Sequence, residues 1–235
     1  MPLHKRAMPL QNRVCPDGEI IATTARGTMM GNRGGRIHMP DRRLGRRWVT
    51  KQWIACRLDF HERHRQVMSP NSYTELFFLD EATALAAGHR PCFECRRGDA
   101  VEFATRWAAA DGLRGEPAGA DHAPTRTKAG TMDERLHLER LTGTGAKRCH
   151  DARLADLPDG VFIKWRGSAH LWLDGRMLPW APSGYGGGKA VSPAEIVSVL
   201  TPRTIVTVIL SGYCPGLHQS ATHHASSQDI TEHRP

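Results

Sequence analysis

Cys92 and Cys95, at C-x-x-C spacing, are the residues of this chain best placed to do chemistry. Two thiolates held three positions apart grip one tetrahedral ion from the same side, so the pair is half of a metal site. The other common use of the motif, a redox dithiol, follows a strand and opens a helix. Here the preceding residues read instead as a helix and its stop. Asp80 suits an N-cap, Glu81 to Ala87 are mostly helix formers, and Gly88 suits the left-handed C-cap position. Pro91 keeps the helix from resuming and stiffens the approach to Cys92. Zinc is the expected ion.

Other groups are weaker. Asp133 and His137 stand four apart on a helical stretch, a pair able to bind metal or orient a general base, though such pairs are more often surface contacts. Ser183 to Ala190 has the glycines of a phosphate loop, but Ser183 stands where the first Gly is required and Ala190 where a hydroxyl must reach magnesium. It is not a nucleotide site. Cys214 and His218 follow a helix stop much as Cys92 does, which reads as shared stop chemistry.

The elements that must position these residues read as follows. Glu19 to Thr24 is a strand after an Asp17-Gly18 turn, and Arg26 to Arg47 is an extended basic loop rich in Gly and Arg. Trp53 to Phe60 alternates as a strand, with Ile54, Cys56, Leu58 and Phe60 on one face, and Arg65 to Met68 is a candidate hairpin partner. Tyr73 to Leu79 is a strand leading into the helix that ends at Gly88, and a second helix runs from about Asp99 to Ala109. Met132 to Leu141 is a short helix. From Leu157 the pattern becomes a β-meander, with a strong hairpin turn at Asp174-Gly175. Thr201 is expected to cap a helix with Pro202 in its first position and Gly212 past its end.

Charge is unevenly placed. Residues 1–68 hold 14 Lys and Arg against 5 Asp and Glu, and residues 69–235 hold 18 against 19, so the net charge of +8 arises in the first third. Such a block is the footprint of polyanion binding, or else a solubilising surface. Arg33, Arg36, Arg43, Arg46 and Arg47 are its candidate phosphate contacts, with Arg57 next to Cys56 and Arg97 two positions after Cys95. No apolar run approaches a membrane span, and the basic start lacks a signal peptide's apolar core, so a cytoplasmic location is the default. Six cysteines without export signals point to thiols or metal ligands.

Around the C-x-x-C a resemblance emerges. Trp53 to Arg57, Glu75 to Phe78, Glu81 to Ala87 and Gly88-His89-Arg90-Pro91-Cys92-Phe93-Glu94-Cys95-Arg96 together resemble the zinc-binding N-terminal domain of the Ada adaptive-response family. The likeness covers about residues 53–97. It implies four thiolates on zinc and a first cysteine, matched by Cys56, that accepts a methyl group from a DNA methylphosphotriester. Cys92 and Cys95 match the last ligand pair. The second ligand is missing, because Phe60 stands where that cysteine belongs. His61 and His64 are near enough to substitute. With one thiolate fewer than the pattern, no methyl transfer to Cys56 is expected.

The expectation is an α+β protein with a small mixed or antiparallel sheet and short helices around a zinc site, then a C-terminal β-meander and helix. Its parts are a flexible arm (1–16), a basic zinc-binding region (17–110), a loop or linker (111–130), a C-terminal α+β region packed on the first (131–217) and a disordered tail (218–235). The leading function is a zinc-containing nucleic-acid-binding protein, DNA favoured, acting in repair or regulation, with Cys56 as the candidate catalytic residue. A metal-dependent enzyme drawing on Cys56, His61 or His64, His89, Asp133 and His137 is the alternative. A structural zinc module that binds another protein is the third.

Overall fold

Short strands and short helices alternate along the first half of the chain. In the computed structural model, which describes residues 8–60, 66–113 and 126–223, they are β1 (Gln11–Val14), β2 (Ile20–Ala22), β3 (Met29–Asn32), β4 (Ile54–Cys56), β5 (Leu76–Phe78), α1 (Glu81–Ala86), β6 (Arg90–Pro91), α2 (Arg97–Leu113) and α3 (Ala129–Arg140). A meander follows, with β7 (His150–Arg153), β8 (Val161–Trp165), β9 (Ser168–Leu173), β10 (Arg176–Ala181), β11 (Gly184–Tyr185), β12 (Lys189–Ala190) and β13 (Ile196–Val199), closed by α4 (Arg203–Leu210) and α5 (Gln219–His223). The first sheet is mixed, in the order β2-β1-β5-β3-β4-β6. The second is antiparallel, in the order β11-β10-β9-β8-β13-β7, with β12 beside β10. This is the expected α+β class.

The two sheets share one helix. Every residue of α1 is buried, because its faces meet apolar side chains from both sheets. Ala84 and Ala87 join the cluster of Leu76 and Phe78, while Ala82 and Ala86 join that of Phe162 and Leu171. Alanine lets the layers approach closely, and the helix's polar residues Glu81 and Thr83 are buried with hydrogen-bond partners. Asp80 caps it as expected, its Oδ1 accepting from the Thr83 amide and hydroxyl at 2.9 and 2.7 Å. Gly88 holds φ +88°, and a Cβ there would sit 2.6 Å from Arg140 Cδ, so both backbone and packing demand glycine. Asp174 and Gly175 hold φ 49° and 68° and join β9 to β10, as a type I′ hairpin turn requires.

Several expectations are corrected. The Gly- and Arg-rich loop contains β3, which lies inside the first sheet between β5 and β4. Gly31 fits there because a Cβ would meet the Ile54 carbonyl at 2.1 Å. The strand begun at Trp53 ends at Cys56. Gln11–Val14 of the supposed arm is β1, and Gln219–His223 of the supposed tail is helical. Thr201 does not cap α4, since its hydroxyl accepts from the Phe162 amide at 2.9 Å. The Glu139 carboxylate of α3 does so instead, taking the Thr204 amide and hydroxyl at 2.8 and 2.6 Å and placing negative charge at a helix N-terminus.

Candidate metal centre

The parallel pairing of β4 with β6 creates the site. Ala55 lies in register with Pro91, and the Cys92 amide donates to the Ala55 carbonyl at 3.0 Å. Cys56 and Cys92 thus leave neighbouring strands side by side. The chain then turns tightly into α2, with the Arg96 amide bonded to the Cys92 carbonyl at 3.0 Å, and this brings Cys95 back to the pair. The sulfurs of Cys56, Cys92 and Cys95 all lie within 4.8 Å of one another. Two zinc–sulfur bonds of about 2.3 Å at a tetrahedral angle hold sulfurs ~3.8 Å apart, so the trio fits one thiophilic ion. It is the group of ligating side chains among the described residues that could hold a metal.

The electrostatics agree. The Cys92 thiol is drawn down to about 5, first by the hydrogen bond from Cys56 and then by backbone amides of Cys95 and Glu94. The Glu94 amide reaches its sulfur at 3.4 Å. The Cys56 thiol is pushed up, by that same bond to Cys92 and by burial. Cys95 is raised by burial. An ion that displaces the protons of these opposed thiols relieves the conflict.

The trio forms part of the wall of a cavity of about 290 Å³. Met30, Ile54, Leu58, Phe60, Val67 and Phe77 make it largely apolar, and Tyr73, Glu75, Glu94 and Arg57 supply polar groups. Glu75 is 2% exposed and accepts from the Met68 amide at 2.7 Å. A space this size suits a small ligand.

His61 and His64, the expected additional ligands, lie outside the described residues. The rest of the supposed enzyme cluster is engaged elsewhere. His89 is fully buried between the rings of Trp53 and Phe78, at 5.1 and 4.7 Å, and takes the Arg33 Nε at 3.4 Å. Burial and the nearby charge of Arg33 keep its ring neutral. Asp133 is gripped by Arg90 through two bonds of 2.9 and 2.8 Å. His137 touches Arg140 at 3.2 Å and packs edge-on to Trp48. Cys15, Cys149 and Cys214 stand apart from the trio.

The arginines divide. Arg33, expected on phosphate, is 1% exposed, stacked 4.0 Å over Trp53 and bonded to the Gly18 carbonyl at 2.9 Å, so it is a core residue. Arg140 stacks on the same indole at 3.8 Å. Arg47 pairs with Glu19 and Arg43 with Asp41, while Arg36 bonds the Pro70 carbonyl. Arg46, Arg57 and Arg97 are exposed.

Sequence reasoning missed the buried carboxylates Asp80 and Glu81 as organisers. Asp80 Oδ2 accepts from the Tyr185 hydroxyl and the His218 amide at 2.7 and 2.9 Å, and Glu81 takes the Tyr213 hydroxyl, the Gly216 amide and Arg96. The one local signal was an acidic pair opening an otherwise apolar helix. These bonds tie α1, and with it the residue after Cys95, to the C-terminal segment. No helix among the described residues is long and apolar enough to cross a membrane. No family model, curated protein or solved structure matches the chain.

Proposed function

We propose that Cys56, Cys92 and Cys95 hold a zinc ion as three thiolates, and that its remaining position serves a small ligand in the adjoining cavity. The protein is then a zinc-dependent enzyme. The observation that carries this reading is the convergence of three sulfurs on the wall of a 290 Å³ cavity. Structural zinc sites are closed by four protein ligands, whereas catalytic ones keep a position open. A soft, all-thiolate donor set favours zinc over hard cations, and the Ada resemblance supports the same ion. Zinc bound there would polarise an oxygen of the ligand as a Lewis acid. The chain's own contribution is a largely apolar wall, with the polar groups of Glu75 and Tyr73 lining the same cavity.

The test is metal analysis followed by cobalt substitution of the full chain. About one ion per chain is expected, lost in Cys56→Ser, Cys92→Ser or Cys95→Ser. The cobalt spectrum should change when azide is added, and the His61→Ala/His64→Ala double variant should keep the ion. A full complement of metal whose spectrum ignores azide would refute the enzyme reading and leave a structural site.

Nucleic-acid binding, with repair or regulation as its purpose, is the second reading. It is favoured by Arg46, Arg57 and Arg97, exposed side chains with no partner among the described residues. If they neutralise phosphates, affinity for DNA falls steeply with salt, and replacing all three by Ala flattens that slope by about three. Arg33→Ala leaves the slope unchanged if the chain folds. Salt-independent binding, or none at low salt, refutes this reading.

A further inference from the structure

The cysteine trio stands at one end of a row that crosses four adjacent strands. Arg13 of β1 is in register with Phe77 of β5, Phe77 with Met30 of β3, and Met30 with Cys56 of β4. Residues in register share a sheet face, so these four side chains form a continuous track. At one strand spacing per step it runs ~14 Å between the outer Cα atoms. The wall at the metal end is largely apolar and the other end is basic.

At the basic end lies a second cavity, of about 510 Å³, lined by Asn12, Arg13, Thr23, Thr24 and Arg26. It shares Leu58, Val67 and Phe77 with the cavity at the cysteines. The Arg13 guanidinium is laid over the Phe77 ring, 4.6 Å from its centroid. Its Nε is spent on the Ala25 carbonyl and its Nη1 on Asn12 Oδ1, at 2.7 and 2.8 Å, and Nη2 has no acceptor among the described residues. Arg26 has no ion-pair or hydrogen-bond partner among the described residues. Arg13 is held below its ordinary value, first by burial and then by the charge of Arg26 beside it. Two neighbouring guanidinium groups with no carboxylate beside them among the described residues can form an oxyanion site, since each can fork onto carboxylate or phosphate oxygens.

We propose that the ligand of the metal centre is an amphipathic oxyanion, with a carboxylate or phosphate head between Arg13 and Arg26 and an apolar stem running over Phe77 and Met30 to the cysteine trio. This rests on the reading of the centre given above. From the guanidinium over Phe77 to the sulfurs is about two strand spacings, ~10 Å, the reach of a stem of several carbons. The head supplies affinity and register, and the far end of the stem meets the ion. A neutral apolar compound or a bare anion fills only half of the track.

Calorimetric titration of the zinc-loaded full chain tests this, with hexyl phosphate, hexanoate, hexanol and inorganic phosphate as probes. Hexyl phosphate or hexanoate should bind at least tenfold more tightly than either hexanol or inorganic phosphate, and which head wins identifies the anion. Arg26→Gln, at an exposed position, should weaken that probe about tenfold while keeping one zinc per chain, as loss of one charge-assisted contact implies. Arg26→Lys should recover part of the loss. Unchanged binding in Arg26→Gln, equal affinity for hexanol, or displacement of the probe by short single-stranded DNA overturns the proposal. A zinc-loaded chain that binds none of the probes refutes the track and spares the centre. A zinc-free chain that still binds hexyl phosphate through Arg26 refutes the link to the centre and spares the recess.

Discussion

Asp133 separates the two ways of reading this chain most cleanly. From its spacing with His137 it is a candidate metal ligand or base orienter, yet in the fold it is the counter-ion of Arg90, the residue two before Cys92. The guanidinium is 2% exposed and the carboxylate 11%, joined by bonds of 2.9 and 2.8 Å. Two unit charges at about 4 Å interact by about 4 kcal/mol when the effective dielectric constant is near 20. Breaking such a pair from one side strands a buried charge and costs about 3–5 kcal/mol. Asp133→Leu should therefore lower the free energy of urea unfolding by that amount. The Arg90→Met/Asp133→Leu double variant should recover most of it, because no charge is left to desolvate. Both proteins should bind as much zinc as the parent. A loss under 1 kcal/mol in the single variant, a double variant worse than the sum of the singles, or zinc lost from a folded Asp133→Leu chain would refute the reasoning.

Two further predictions follow from the same physics. Lys147 donates to the Ala86 carbonyl at the C-terminal end of α1, and burial draws it down to about 7. Because its folded value lies below the unfolded 10.5, its stabilising contribution is complete above pH 10.5 and is lost as pH falls through 7. Unfolding free energy should thus rise across that window by up to ~1.4 kcal/mol per pH unit, and Lys147→Met should abolish the rise in paired urea titrations at pH 7 and pH 9.5. For Cys56, intact-mass and peptide analysis after exposure to DNA bearing methylphosphotriesters should find no methyl on its sulfur. A one-methyl gain mapped to Cys56 overturns that expectation and makes repair the leading function.

The sequence by itself determined the parts whose causes are local. The Asp80 cap, the Gly88 stop, the Asp174-Gly175 turn and the Cys92–Cys95 spacing are each fixed by residues within a few positions, where backbone preference and short hydrogen bonds decide. The α+β class followed from the same short periodic segments. Only the tertiary structure decided which side chains meet across distance. Arg33 reads as a phosphate contact until Trp53, Gly18 and His89, far apart in sequence, close around it. The glycine-rich loop becomes an inner strand because β4 and β5 leave a slot that a residue without a side chain can enter at Gly31. Cys56 joins Cys92 through a parallel pairing across 36 positions, which no local preference encodes. The track from Arg13 to Cys56 needs three strand registers at once, and register is set by which faces the whole core buries.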